Sequence, residues 1–297
     1  MRHHQQQFDL AEMSEALGVS RSGYYRWCGA PPSARRQQDE RIKGQIQEVM
    51  RHARGPYGYR PVHRHLREQG VACGRDRTLR LMHELELIGR VHRRFKPVGT
   101  DSEHLFGYHP NLLRQLGQPT HRDQIWVADT TYLLSDEGWC YLATVMDLCT
   151  RLIVGWSVSD QNDAALVCTA LENAVQARGE VHAGIVHHSD RGSTYASDRY
   201  QRLLARLQMH PSMSARGNCY DNAAMESFFG RYKTAAVRDH VFANQAQIRA
   251  NVFDYIEVFY NRYRKHASLG YLSPIQAEAK FLPPMGGNQE AGCASRN

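Results

Sequence analysis

Three carboxylates stand where carboxylates are uncommon. Asp129 interrupts the apolar run "IWVADTTYLL", Asp190 closes "IVHHSD", and Glu226 lies in "AAMESFF", one turn from two phenylalanines. Strands are normally poor in aspartate, and 35 residues separate Asp190 from Glu226. Oxygen donors gathered without thiol or imidazole suit hard ions such as magnesium or manganese. Two such ions, about 3.5–4 Å apart, can activate an attacking oxygen and stabilise the leaving oxygen of a phosphodiester. Taken singly, each acid also has an ordinary structural reading: a hydrogen-bonded buried aspartate, a strand-end turn residue, a surface glutamate. Asp147, in a neighbouring run, shows that such acids need not be catalytic.

For the acids to meet, strands must carry them to one edge. "QIWVADTTYLL", "GWCYLATVMDL" and "TRLIVGWSVS" are apolar runs separated by "SDEG" and "CT", the pattern of a three-stranded meander. They are nearly continuous rather than alternating, which implies that both sheet faces are covered. "NDAALVCTALENAVQARG" reads as a helix with Asn162 as its cap, "AGIVHHSD" as a short buried strand, "SDRYQRLLARLQ" as a helix and "HPSMS" as a last strand. The fold class is therefore α/β, a mixed sheet with flanking helices. Ligands of such sheets gather beyond the strand ends.

Glu226 follows "SMSARGNCYDN". Asp221 is the expected helix cap, with Tyr220 and Met225 packing across it. Ala224, Phe228, Tyr232 and Ala235 would face the core. Asn222, Glu226, Gly230 and Lys233 form the neighbouring stripe, where Asn222 and Lys233 could meet a phosphate backbone. A solvated helix face would look similar.

The net charge of +7 is unevenly spread: residues 1–100 hold 19 Lys/Arg against 10 Asp/Glu, the remainder 18 against 20. A basic third suggests a polyanion partner, nucleic acid above all. That third is helical in pattern and twice resembles a helix-turn-helix. In "LAEMSEALGVSRSGYYRW", Gly18 turns the chain and Ser20 caps a second helix. Leu10, Met13, Leu17, Val19, Tyr24 and Trp27 would join the pair. In "YGYRPVHRHLREQGVACGRDRTLRLMHELELIG", Leu79, Met82 and Leu85 would face inward. Arg75, Arg77 and Arg80, near the start of the second helix, are the DNA-contact candidates.

"GAPPSARRQQDERIKG" between the units reads as a hinge. The organisation expected is a DNA-binding region over 1–96, a linker over 97–123, a catalytic core over 124–235, a helical extension over 236–282 and a disordered tail over 283–297. In the extension, "AQIRANVFDYIEVFYNRYRKH" would pack on the core with its arginines and lysine toward DNA.

Seven scattered cysteines with no C-x-x-C argue for reduced thiols, not a disulfide framework. A zinc site would have to be assembled from His63, His65 and Cys73, whose spacing fits no common pattern. "MRHHQQQFDL" lacks a signal-peptide core, and the most apolar stretch is broken by Asp147 and Arg151, so a cytoplasmic, nucleoid-associated protein is expected.

"WVADTTYL", "GWCYLATVMDLCTRLIVGW", "HHSDRGSTYAS", "SMSARGNCYDNAAMESFFGRYK" and "YNRYRKHASLGYLSP" together resemble the catalytic protein of insertion sequence 3 family transposases. The likeness runs in order over residues 55–278, and "GPYGYRPVHRHL" with "RTLRLMHELELIG" resembles that family's helix-turn-helix segment. It implies a ribonuclease-H-like, retroviral-integrase-like core. It also implies a catalytic, metal-binding triad of Asp129, Asp190 and Glu226 holding two magnesium ions, for which manganese may substitute. Lys233 fills the basic position seven residues past the glutamate. The implied chemistry is 3′-end nicking of an element and transfer of that 3′-hydroxyl to another phosphodiester, with no covalent protein–DNA intermediate. Implied partners are terminal inverted repeats, target DNA, further copies of the chain, and an upstream-frame helix-turn-helix/leucine-zipper protein or its fusion. Ala235 departs from the family, which often has an acid there. Two rival readings are a catalytically silent DNA-binding regulator of transposition and a plain nuclease on the same fold.

Overall fold

A computed structural model describes residues 1–53, 57–87, 108–179, 183–214, 222–238 and 240–281. Two short helices open it, α1 (Leu10–Ala16) and α2 (Arg21–Gly29). Gly18 has φ +64°, and the Ser20 Oγ accepts from the Gly23 N–H at 3.0 Å, the turn and cap that the sequence implies. The packing differs. Tyr24 is buried, but Leu17 and Trp27 are 62% and 64% exposed. Helices this short touch at one crossing, and among the described residues their outer apolar side chains stay exposed.

The segment expected as a hinge instead enters α3 (Ala34–His52), capped by Ser33, whose Oγ accepts from the Arg36 N–H. Its polar opening turns conceal the stripe Ile42, Ile46 and Val49, which is buried with Val62 and Leu66 of α4 (Tyr59–Glu68) and Leu81 and Met82 of α5 (Arg75–Glu84). The inward phase of α5 also differs from expectation. Thr78, Leu81 and Met82 are buried while Leu79 is exposed.

Residues 88–107, most of the expected linker's first half, lie outside the described residues. Residues 108–116, including α6 (Leu113–Leu116), lie along the core: His109 meets Gln201 at 2.8 Å and the Leu112 N–H donates to the Ser212 hydroxyl at 2.9 Å. The meander is β1 (Ile125–Ser135), β2 (Gly138–Asp147) and β3 (Ile153–Ser159). Then come α7 (Ala164–Arg178), β4 (Val186–Ser189), α8 (Ser193–Ala196), α9 (Asp198–Arg206), β5 (His210–Met213) and α10 (Ala223–Tyr232). Asp163, not Asn162, caps α7, accepting from the Leu166 N–H at 3.0 Å.

The sheet order is β3-β2-β1-β4-β5. The β1–β2 and β2–β3 pairs are antiparallel, and β1–β4 and β4–β5 are parallel. This mixed sheet is the α/β architecture expected. One face packs with α7 and α9 through Trp126, Ala128, Val145, Leu171 and Leu203. The other packs with α10 and the C-terminal helices through Val127, Leu133, Phe228 and Ile256. On the first face α7 runs unusually close. A Cβ on Gly155 would stand 2.4 Å from the Ala170 carbonyl oxygen and 2.5 Å from the Ala174 nitrogen, both backbone atoms that cannot move alone. Gly155→Ala is therefore expected to cost about 3 kcal/mol in urea unfolding; an unchanged midpoint would contradict this contact.

The C-terminal part is α11 (Gln245–Phe253), π-helical turns over Asp254–Tyr260, α12 (Asn261–Tyr263) and α13 (Pro274–Glu278). Its apolar face is buried as expected, but its cations do not all face outward. Arg249 donates to the Val158 carbonyl at 3.0 Å on edge strand β3, Arg264 is buried, and Lys265 pairs with Glu68 at 2.5 Å. An edge strand leaves carbonyls without strand partners, and arginine supplies the donor. Below the sheet, Arg178 Nε lies 2.9 Å from Asp123 and its Nη1 2.5 Å from Glu278 of α13, while its Nη2 reaches Asp147 at 3.5 Å. Asp147 is fully buried and also accepts backbone N–H bonds from Cys149 and Thr150. Its role is structural. No described helix is long and apolar enough to cross a membrane.

Candidate active site

Strand register brings the two aspartates together. Val127 of β1 pairs with His188 of β4 in parallel. Asp129 and Asp190 each lie two residues further on, Asp129 within β1 and Asp190 just past the end of β4, so they stand side by side about one strand spacing of 4.8 Å apart at the backbone. Asp129 is part-buried, and its Oδ1 accepts the Thr130 N–H at 2.7 Å. The Asp190 Oδ1 accepts the Gly192 N–H at 2.9 Å. Burial first, then the charge of Asp190 and more weakly that of Glu226, push the Asp129 carboxyl up to about 8, against the pull of the Thr130 N–H and Lys233.

Glu226 reaches this edge from α10. The two phenylalanines beside it explain its place. Met225, Phe228, Phe229 and Tyr232 are buried and fix the helix against β1, which leaves Glu226 exposed on the adjoining side. Asn222 takes the N-cap position without a side-chain cap bond and is buried. Asp221 and Tyr220, the expected cap and staple, lie outside the described residues.

Asp190 and, more weakly, Glu226 both act on Asp129 through their charge. Among the described residues, however, no three Asp, Glu, His or Cys side chains stand close enough to hold an ion together. The donor set nevertheless fits a hard cation: all ligand atoms would be carboxylate oxygens, and a carboxyl pushed up to about 8 by burial and a neighbouring acid ionises more readily beside positive charge.

Lys233 is close to this edge. It follows α10 as the first residue of a π-helical stretch, Lys233–Val237, and its Nζ lies 4.2 Å from the Tyr132 ring centroid. Burial lowers its pKa, opposed by the charge of Asp129. The other expected DNA contacts lie elsewhere. Arg77 and Arg80 on α5 reach back to Asp39 of α3 at 2.6 and 2.8 Å, and Arg75 is exposed. Those two hydrogen-bonded guanidiniums, Arg80 foremost, hold the Asp39 carboxyl below the usual range.

Support behind Asp129 comes from residues that the sequence pattern did not single out. The Tyr195 hydroxyl, buried, meets the Thr130 hydroxyl at 3.1 Å, and Gln201 donates to the Tyr195 carbonyl at 2.7 Å. No periodicity or spacing links these positions. Burial raises Tyr195 well above the ordinary tyrosine value, so it is no nucleophile. His187 and His188 are buried strand residues. His187 meets the Tyr200 hydroxyl at 2.9 Å and is pushed down to about 3 by burial, and His188 sits between Ser212 and Ser214.

Comparison with known proteins adds to this geometry. A family model described as an integrase core domain matches residues 119–219, another of the same description matches 207–274, and an HTH-like domain matches 37–95. The chain is 41% identical over 269 residues to the insertion element IS600 uncharacterized 31 kDa protein of Shigella sonnei, covering 91% of this chain and 98% of that one. It is 38% identical over 281 residues to transposase InsF for insertion sequence IS3A of Escherichia coli K12, covering 94% and 97%. Among solved structures, the HTLV-2 integrase catalytic core domain in complex with magnesium overlays with a TM-score of 0.41 at 13% identity, over 54% of this chain and 98% of that one.

Proposed function

The chain belongs to the insertion sequence 3 family of transposases, and from that membership we propose how its own residues cut and join DNA. It is a DNA transposase, a DDE-type polynucleotidyl transferase. A silent DNA-binding regulator is not favoured, since integrase-core matches extend from residue 119 to 274.

Asp129, Asp190 and Glu226 are the catalytic acids and the residues that would hold two divalent ions. Magnesium, with manganese as substitute, would supply Lewis-acid activation of the attacking oxygen and neutralise charge at the phosphodiester. In the first step a water oxygen bonds to phosphorus at the element end and the 3′-oxygen leaves. In the second, that 3′-hydroxyl bonds to phosphorus in another phosphodiester as a P–O bond there breaks. Asp129, within β1, and Asp190, just past β4, would fix the reacting phosphate from the rigid sheet, whereas Glu226 approaches on a helix. Lys233 offers positive charge to the phosphate backbone on the same side. Tyr195, buried and bonded to Thr130, holds β1 and takes no covalent part.

The observation that carries the triad reading is the side-by-side position of Asp129 and Asp190 on parallel strands, with the Asp129 carboxyl pushed up to about 8 by burial and then by the Asp190 charge. Residues 1–96 would serve DNA binding through Arg75, with Arg77 and Arg80 available once phosphates compete for Asp39, and Asn222 and Lys233 would meet DNA at the core. The remaining division, a linker over 97–123, a core over 124–235 and an extension over 236–282, belongs to the same proposal. So do terminal inverted repeats and target DNA as substrates, homo-oligomerisation on DNA, an upstream-frame helix-turn-helix/leucine-zipper protein or fusion as partner, and a nucleoid location in the cytoplasm.

The test is a donor plasmid carrying this gene, its upstream frame and its flanks, assayed by amplification across joined element ends. Junctions are expected with the wild type and not with Glu226→Gln. Junctions from both would exclude Glu226 from the triad.

A further inference from the structure

The β1–β2 hairpin carries an aromatic surface that folding does not explain. Tyr132, Leu134 and Trp139 are 47%, 57% and 52% exposed, although all three belong to strands. Leu134 lies opposite Trp139 in the register. The Tyr132 and Trp139 rings meet edge to face, with centroids 5.3 Å apart and planes at 82°. Further along the same two strands, Ala128 and Val145 are covered by the packing of α7 and α9, so the aromatic end is where that cover stops.

Two observations say what the surface faces. Tyr132 is three residues beyond Asp129 on one strand, about 10 Å along it, and strand alternation turns its side chain to the opposite face of the sheet. Lys233 connects the two places, with its Nζ 4.2 Å from the Tyr132 ring centroid. An exposed aromatic ring braced edge-on by a second ring, with a cation beside them, is a surface on which an unpaired nucleotide can stack. Bases stack on the rings in any sequence, and the cation meets the phosphate that follows. Three side chains make a patch too small to seat a folded partner, but its size matches one or two bases.

We propose that Trp139, braced edge-on by Tyr132, forms a stacking platform for a nucleotide unpaired at the DNA end, about 10 Å along β1 from Asp129 and flanked by Lys233. The proposal rests on the transposase reading above, and it makes the two aromatics positioning residues, not catalytic ones. An end held open in this way presents its scissile phosphate to Asp129 and Asp190 in a fixed register. Preference for ends that fray easily follows.

The full chain, without divalent ions, would be titrated with two duplexes of equal length. One has flush ends. The other has two mismatched terminal pairs, with 2-aminopurine at the last position as the fluorescent probe. Wild type is expected to bind the frayed duplex about tenfold more tightly and to quench the probe, a ratio within the range of one stacked base. Trp139→Ala and Tyr132→Ala should lose the preference and the quenching while binding flush duplex as before, and Trp139→Phe should restore both. Equal binding of the two duplexes by wild type, or an unchanged preference in both alanine variants, would overturn the platform alone. So would a shift in sedimentation by Trp139→Ala with the preference intact, since that outcome marks a contact between copies. Wild type that binds neither duplex would overturn the DNA-acting reading itself, and the platform with it.

Discussion

Asp129→Asn is expected to lower junction formation by at least about 1000-fold, a loss of roughly 4 kcal/mol of transition-state stabilisation, while making the metal-free protein harder to unfold. The two effects have one cause. Asparagine keeps the shape and can still accept the Thr130 N–H, but it carries no charge beside Asp190. In wild type the carboxyl is pushed up to about 8 by burial and its acidic neighbours. An unfolded aspartate titrates near 3.9. Between about pH 4 and pH 8 the folded state therefore binds more proton than the unfolded state, and stability falls as pH rises through that window. Asparagine escapes this loss. Because Asp129 is only part-buried, solvent reduces the benefit to on the order of 1–2 kcal/mol at pH 8. The difference should vanish near pH 4. Thermal melts at both pH values, alongside the junction assay, measure both effects. Asp129→Asn melting below wild type at pH 8 would remove the like-charge account, and junctions at wild-type yield would remove Asp129 from the triad.

Divalent-ion binding should be steeply pH-dependent for the same reason. An ion held by Asp129 must displace the proton that burial and the acidic neighbours retain up to about 8. Apparent affinity for magnesium or manganese is expected to rise by about tenfold per pH unit below pH 8 and to level off above it, with one proton released per binding event. Calorimetric titrations at pH 6.5, 7.5 and 8.5, in buffers of different ionisation enthalpy, report both slope and proton count. Affinity independent of pH, or binding without proton release, would place the ion elsewhere.

Much of the core was legible because its signals are local. Apolar runs with short punctuation gave three strands, and an acid inside the first of them and another closing the fourth strand pointed to one site on the sheet. The pairing that sets Asp129 beside Asp190 depends on β4 returning parallel to β1, and the β-α-β pattern implies that return. Where the sequence misled, long-range contact decided. The polar opening of α3 looked like a hinge because its apolar stripe begins only at Ile42. Arg77 and Arg80 looked like free DNA contacts because nothing local announces Asp39, 38 and 41 residues earlier. Leu79 and Leu81 could each have faced inward, and tertiary packing chose the second. The Tyr195–Thr130 contact spans 65 residues and leaves no trace in spacing.

The charged cluster below the sheet has a consequence in time. Arg178 touches Asp123 and Asp147, both made before it, but also Glu278, made a hundred residues after it. As the chain emerges from the ribosome, the sheet can pair and α7 can dock while Arg178 still waits for its last partner. The underside of the domain is sealed only when α13 arrives. Translation of this protein thus produces a nearly complete candidate site on a body that is still open beneath it, and α13, the last α-helix among the described residues, acts as the bolt.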